Sequence, residues 1–375
     1  MLFYQNHHIL DGISKRLCAA WETGTGQGRR NLSTIKPCRN GETMKLYFAP
    51  LEGITGYLYR NAHHDHFSGV DKYFTPFLSP NQNRALNPKE IKDVLPENNK
   101  EIPLVPQILT NRGEFFLRAA QELEERYGYE EVNLNLGCPS RTVTAKGKGA
   151  GFLAEREALD CFFQEVFEKI RIRVSVKTRI GVDEPEEFRH LMKIFNKYPL
   201  HELIIHPRVQ KDYYDNLPDW KAFGEAMRMS RNPVCYNGDI FTVEDFRKFR
   251  AEFPEADKVM LGRGLLRNPL LAEEIRKEVE KSDREPLADR CGEIPPDPEG
   301  AVGDEERVKA FHDRLYGDYQ SVMSGEKNVL FKMKEFWVYA GHSFPGAEKC
   351  LKKIKKASRL AEYEGAVSEI WRWYR

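Results

Sequence analysis

The chain has 375 residues, 41% of them hydrophobic and 31% charged, with a formal net charge of +1. That is enough for one barrel of about 250 residues with an appended domain, and the composition excludes disordered and fibrous classes. No apolar run approaches the roughly 20 residues that a membrane span needs, so no membrane partner is expected.

The seven cysteines, at positions 18, 38, 138, 161, 235, 291 and 350, form no Cys-x-x-Cys pair. Their spacing argues against a metal centre and a disulfide framework, and fits a reducing cytoplasm. Cys161 and Cys350 are expected to be small buried hydrophobes. Residues 1 to 43 lack an apolar signal core and contain the Gly-rich polar run "ETGTGQGRRN". They read as a disordered, dispensable extension.

From Met44 the sequence alternates short apolar runs with longer amphipathic ones. Strands are expected at "LYFA" (46 to 49), "KYFTPF" (72 to 77), "LVPQIL" (104 to 109), "EVNLNL" (131 to 136), "VSVKTR" (174 to 179), "ELIIHP" (202 to 207), "PVCYNG" (233 to 238) and "DKVMLG" (257 to 262). Helices fall between them in segments such as "RGEFFLRAAQELEERYG" and "EREALDCFFQEVFEKI". In the second of these, Leu159, Phe162, Phe163, Val166 and Phe167 recur at three and four and make one stripe. Eight strand–helix units predict an α/β fold, a parallel (β/α)8 TIM barrel over residues 44 to 283. A doubly wound sheet is disfavoured because the turn after the first strand, "APLEGITG", is no Gly-x-Gly-x-x-Gly.

Residues 284 to 304 concentrate proline, glycine and acid, the composition of a linker. The segment from 305 to 375 is expected to be a small all-helical domain. It holds 14 Lys+Arg against 10 Asp+Glu, a net +4, which leaves −3 for the rest. Lys352, Lys355, Lys356 and Arg359 lie at i, i+3, i+4 and i+7, one face of a continuous helix. Such a stripe is a solvated surface or a contact for a phosphate backbone.

In a parallel barrel the working residues stand at the C-terminal strand ends. Here those ends deliver Gln107, Asn135 with Cys138, Lys177 with Arg179, His206 with Arg208, Asn237 with Asp239, and Gly262 with Arg263. Convergent polar groups over a barrel mouth describe a ligand site. Gly238, Gly262 and Arg263, on the last two strands, suit a phosphate. Lys177, flanked by valines, needs an anionic partner or a depressed pKa, which fits either Schiff-base chemistry or an anionic flavin ring. Cys138, after glycine and before proline, projects from the mouth, and a thiol with a pKa near 8.5 is mostly protonated at neutral pH. A proton donor is preferred there over a nucleophile.

The ordered set "APLEGIT", "VPQIL", "NLNLGCPS", "VKTRIG", "IIHPR", "NGDI" and "GRG" resembles the tRNA-dihydrouridine synthase family over roughly residues 44 to 375. The resemblance implies an FMN-bearing barrel, NADPH as reductant, and a helical domain that binds tRNA. Carried over by position, Pro50, Leu51 and Glu52 would line the flavin, Gln107 would bond its ring, and Lys177 would stabilise its reduced form. His206 would lie beside the ring or ribityl chain, with Asn237, Gly238, Asp239, Gly262 and Arg263 on the ribityl-phosphate. Cys138 would protonate C5 of a uracil whose C6 takes hydride, Asn135 would orient the base, and the glycine-rich loop after Cys138 would close over it. Arg141 and Arg208 at the mouth, with Lys352, Lys355, Lys356 and Arg359 in the tail, are expected to touch tRNA phosphates, and the protein is expected to be a monomer. Many members read Pro-Met-Ala-Gly and then Thr-Asp where this chain has Pro50-Leu51-Glu52-Gly53 and Thr55-Gly56. Competing readings are a flavin barrel acting on a free pyrimidine, as in dihydroorotate dehydrogenases, a lysine-dependent aldolase, and a non-catalytic RNA-binding protein.

Overall fold

The structure is a computed structural model that describes residues 44–99, 101–284 and 303–373. The expected extension at 1 to 43 and nearly all of the expected linker lie outside the described residues, as do Cys18, Cys38 and Cys291.

The nine strands among the described residues are all parallel: β1 (Lys45–Phe48), β2 (Lys72–Phe74), β3 (Leu104–Val105), β4 (Gln107–Ile108), β5 (Glu131–Leu136), β6 (Arg173–Gly181), β7 (Glu202–Val209), β8 (Val234–Tyr236) and β9 (Lys258–Leu261). Their order is β3-β2-β1-β9-β8-β7-β6-β5-β4. The two ends of that order, β3 and β4, are halves of the single strand expected at 104 to 109. Pro106, which has no N–H to give the ladder, divides them. The Pro106 carbonyl still accepts from the Asn133 N–H at 2.9 Å, and the Gln107 carbonyl accepts from the Leu78 N–H at 2.7 Å. The ring is therefore joined across the proline and the (β/α)8 barrel closes.

Helices α1 (Tyr57–His66), α2 (Pro88–Val94), α3 (Gly113–Tyr127), α4 (Arg141–Thr144), α5 (Arg156–Lys169), α6 (Phe188–Phe195), α7 (Trp220–Met229), α8 (Val243–Glu252), α9 (Arg263–Arg267) and α10 (Leu271–Arg284) surround or cap the barrel. Leu159, Phe162, Phe163 and Val166 of α5 are buried and Phe167 packs against the same core, so the expected stripe faces inward. Cys161 does not join it: one position off the stripe, it is exposed, and Cys350 is half-buried. Among the described cysteines the fully buried one is Cys235, an inward residue of β8.

Alternation along each strand sorts the interior into levels. At the N-terminal end Lys72 pairs with Glu131 at 2.9 Å and Glu202 at 3.6 Å, and the Tyr47 hydroxyl donates to Glu202 at 2.7 Å. Above this ionic floor Tyr47, Ala49, Phe74, Val105, Ile204, Cys235 and Met260 form a small apolar core of their own. The top level is polar.

Four further helices follow, α11 (Asp304–Val322), α12 (Glu326–Ala340), α13 (Glu348–Lys356) and α14 (Leu360–Trp373). They pack around Trp337, Phe344, Tyr363 and Trp371, with the Tyr363 hydroxyl bonded to Trp337 Nε1 at 2.9 Å and to His312 Nε2 at 2.6 Å. The group is fixed to the barrel through α11. Phe311 meets Tyr59 edge-on at 5.4 Å, and Arg307 pairs with Glu273 at 2.6 Å. Among the described residues no helix is long and apolar enough to cross a membrane.

Candidate active site at the barrel mouth

The polar top level is held by a hydrogen-bond chain running through neighbouring strands. Asn135 Nδ2 donates to Gln107 Oε1 at 2.7 Å, Gln107 Nε2 donates to Asn133 Oδ1 at 2.8 Å, and Asn133 Nδ2 donates to Ser175 Oγ at 2.9 Å. All four side chains are buried, so each amide is orientated by its neighbour and the chain fixes Asn135. Sequence reasoning missed Asn133 and Ser175. The signal was present: the period of two in "NLNL" puts Asn133 on the same inward face as Asn135.

Asn135 in turn shapes the thiol loop. Its Oδ1 accepts from the backbone N–H groups of Gly137 and Cys138, both at 3.0 Å, an Asx turn that carries the chain out of β5. Asn135 therefore positions Cys138 directly, with one Nδ2 hydrogen left for a ligand. Cys138 is half-buried. Desolvation raises its pKa above the ordinary thiol value, and Glu52 adds to the rise against the Ser140 N–H, Arg179 and Lys177. The thiol is thus protonated at neutral pH.

The glycine-rich loop is folded against it as α4 and a three-ten turn over Gly149–Ala154. The Ala150 N–H donates to the Cys138 carbonyl at 3.0 Å. Gly149 has φ +57°, and a Cβ there would stand 2.8 Å from the Cys138 carbonyl oxygen and 3.1 Å from Cys138 Cβ. Gly149→Ala is thus expected to displace Cys138 and to lower any turnover that depends on its thiol by 10-fold or more, since a misplacement of about 1 Å costs roughly 100-fold. A turnover assay beside a urea titration separates this loss from one of stability.

Lys177 lies at the same register as Asn135. It keeps limited solvent contact, and among the described residues its ammonium has no hydrogen-bond or ion-pair partner. Desolvation, followed by the charge of Arg179, lowers its pKa from 10.5 to about 8. His206 on β7 is buried, and desolvation together with Arg179, Lys177, Arg208 and Arg263 pushes its pKa well below 6.5. It is neutral, and its Nε2 accepts from Arg208 Nη1 at 2.9 Å.

One arginine stands differently from expectation. Arg208 is 2% exposed. Its guanidinium is bound by Asp239, His206 and the Asn216 carbonyl, so it does not reach out to an RNA backbone. It points inward because its position on β7 has the same parity as His206. Arg179 is a strut whose guanidinium donates to the Gly137, Val209 and Tyr213 carbonyls at 3.0, 2.8 and 2.6 Å.

At the ends of β8 and β9, Asn237 Nδ2 donates to the Met260 carbonyl at 2.8 Å, and Arg263 pairs with Asp239 at 2.5 Å. With Arg208 on its other oxygen, the Asp239 carboxylate aligns two cations and does not itself face an anion. Gly238 has no room for a side chain, since a Cβ would lie 2.0 Å from the Tyr236 hydroxyl. Gly262 precedes α9, so its backbone opens toward the helix start. Tyr214, 48% exposed, lies over Arg263 with ring centroid and guanidinium 4.4 Å apart. Nothing in the strand pattern flagged it, because it belongs to the loop after β7.

At the β1 end, Pro50 and Leu51 are half-buried and Glu52 is exposed. Gly56 leaves α1 without a side-chain cap, and Asp93 from α2 takes that place, accepting from the Tyr57 N–H at 2.7 Å. Its carboxylate lies 3.3 Å from where a Cβ of residue 56 would be.

Arg141, Lys352, Lys355, Lys356 and Arg359 are exposed. The tail stripe is shorter than its spacing suggested, for α13 ends at Lys356, and Ala357, with ψ 132°, breaks the helix. Arg359 sits in the following turn, paired with Glu362 at 3.1 Å. Among the described residues no group of three or more His, Cys, Asp or Glu side chains is placed to hold a metal ion.

The mouth therefore gathers an unpaired ammonium, aligned arginines, a neutral histidine, a buried amide chain and a protonated thiol. Lys177, Arg179, Arg208 and Arg263 outnumber Asp239, so the site is electropositive and suits an anionic ligand. The family model described as "Dihydrouridine synthase (Dus)" matches residues 47–296. A tRNA-dihydrouridine(16) synthase of Pseudomonas putida is 28% identical over 253 residues, covering 65% of this chain and 77% of the relative. A probable tRNA-dihydrouridine synthase 1 of Synechocystis is 28% identical, covering 60% and 63%, and a probable tRNA-dihydrouridine synthase of Staphylococcus aureus is 29% identical, covering 61% and 71%.

Proposed function

This chain belongs to the dihydrouridine synthase family, and from that premise we propose that it is an FMN-dependent tRNA-dihydrouridine synthase that uses NADPH and saturates the C5–C6 bond of a tRNA uridine. The protonated thiol of Cys138, fixed by Asn135 at the edge of an electropositive barrel mouth, carries this reading.

The residues fit a flavin mononucleotide. Arg263, aligned by Asp239, with Asn237, Gly238 and Gly262 around it, would hold the phosphate, and the partnerless Lys177 would meet the anionic pole of the ring. Gln107, His206 and the Pro50–Glu52 segment would complete the enclosure. The flavin, when bound, supplies hydride to C6 of the uracil.

The remaining steps belong to the protein. Cys138 Sγ–H gives its proton to C5, the S–H bond breaks as the C–H bond forms, and the thiolate regains a proton from solvent. Lys177 and Arg179 moderate the charge that appears on sulfur. A uridine must leave its stack to enter the mouth, which costs a few kcal/mol. Arg141 on α4, with Lys352, Lys355, Lys356 and Arg359, would offset that cost through phosphate contacts, in the cytoplasm where tRNA is found.

Nucleoside mass spectrometry of tRNA from a strain lacking this protein tests the reading. Dihydrouridine should disappear at one or a few positions and return with the wild-type gene; unchanged dihydrouridine in a strain without a second such enzyme would refute it. Replacing Lys352, Lys355 and Lys356 together by glutamate should weaken tRNA binding and lower the slope of log K against log salt by roughly 2–3. Filter binding at several salt concentrations measures that slope.

A further inference from the structure

The outer face of α12 has no role in the reading above. Phe331 is 53% exposed and Val338 46% exposed, and at i and i+7 they share one face with Lys327 at i−4 and Lys334 at i+3. Neither of these lysines has an ion-pair partner among the described residues. An exposed aromatic ring between free cations differs from the ordinary scatter of single surface apolar residues.

The place of this face in the fold gives it meaning. Lys332, the next residue along α12, donates through Nζ to the Gly53 carbonyl in the loop after β1 and pairs with Glu335 at 2.9 Å. The same Nζ lies 5.9 Å from the centre of the Phe331 ring. The bond to Gly53, the residue after Glu52, thereby ties this part of α12 to the β1 end of the barrel mouth. At the other end of α12 Tyr339 stands near Tyr214, Arg263 and Arg267. The helix spans the rim from the strand-one loop to the arginine end.

We propose that Phe331 on α12 is a stacking platform for an unpaired nucleobase of the tRNA next to the uridine that enters the barrel. The inference rests on the tRNA reading and deepens it. A nucleobase presents an apolar face to the ring while its phosphates meet Lys327 and Lys334, so one ligand satisfies both kinds of group on this face. A purely apolar partner would leave the two ammonium groups unpaired at the edge of the contact. An extruded uridine leaves its neighbours unstacked, and stacking one on Phe331 restores part of what extrusion costs.

The test compares Phe331→Ala and Phe331→Trp with wild type as flavin-loaded full-length proteins, reading tRNA affinity, dihydrouridine formation and flavin content. Phe331→Ala should raise Kd and KM for tRNA by about 5- to 150-fold, the usual range for one stacked base, with kcat and flavin content unchanged. Phe331→Trp should restore affinity, and its emission should be quenched by tRNA and not by a fully paired RNA duplex. Unchanged affinity in Phe331→Ala, or equal quenching by the duplex, overturns the proposal. So does a wild-type dimer that Phe331→Ala converts to monomer, because a second copy would then cover this face. Failure of wild type to form dihydrouridine would sink the enzymatic reading instead, and the affinity arm would still decide the role of Phe331.

Discussion

Cys138→Ala is expected to lower dihydrouridine formation on tRNA by about 10²–10⁴-fold, the span a positioned general acid contributes, while the protein remains flavin-bound and reducible. The separation follows from geometry. Cys138 hangs from an Asx turn made by Asn135, whose own amide is fixed through Gln107, so removing the thiol leaves that pair of amides in place. Cys138→Ser tests whether a hydroxyl suffices; its much weaker acidity predicts little recovery. The pH profile adds a second readout. Burial raises the thiol pKa, so the acid form persists through neutral pH and activity should decline only on the alkaline side, as pH rises through the raised value. An alkaline limb that survives unchanged in Cys138→Ala, or turnover equal to wild type, would remove Cys138 from the proton-donor role.

How much of this was legible in the sequence depends on the range of the interaction. Strand positions and the polar strand ends are local properties, and what each strand delivers at its C-terminal end placed Gln107, Asn135, Lys177, His206 and Asn237 toward one mouth. Partner choice is not local. Arg208 looked like a surface cation, and only the folding of β7 beside β8 shows that Asp239 and His206 hold it inside. Asp239 carried an acidic label beside a phosphate for the same reason; its work is to align Arg208 and Arg263. Arg359 was assigned to a helix face by counting, but a single extended residue, Ala357, ends that helix three residues after Ile354 has buried itself. Lys332 reaches across 279 positions of sequence to Gly53, a link no periodicity could suggest, and that link ties α12 to the mouth.

Lys177→Met should separate stability from function most clearly. The lysine pKa falls from 10.5 to about 8 on folding, so the unfolded chain holds the proton more tightly than the folded one. Below pH 8 the residue is protonated in both states and the desolvation penalty is fully present, on the order of 3 kcal/mol from the size of the shift. Between about pH 8 and 10.5 the folded state sheds the proton first and the penalty is progressively relieved. Methionine has similar length and no charge to desolvate. Flavin-free Lys177→Met should therefore be more stable than flavin-free wild type at pH 7, with the gain shrinking as pH rises through that window, in urea titrations of both proteins at several pH values. The same substitution should weaken flavin binding by about 10- to 100-fold, since a charge-assisted hydrogen bond to the ligand is worth roughly 1.5–3 kcal/mol. Higher apo stability with lost affinity is the signature of a cation kept against its own solvation for the sake of an anionic ligand. Equal flavin affinity in the two proteins would place the anionic pole of the ring elsewhere, and a destabilised variant at pH 7 would show that Lys177 has a partner in the folded chain that offsets its burial.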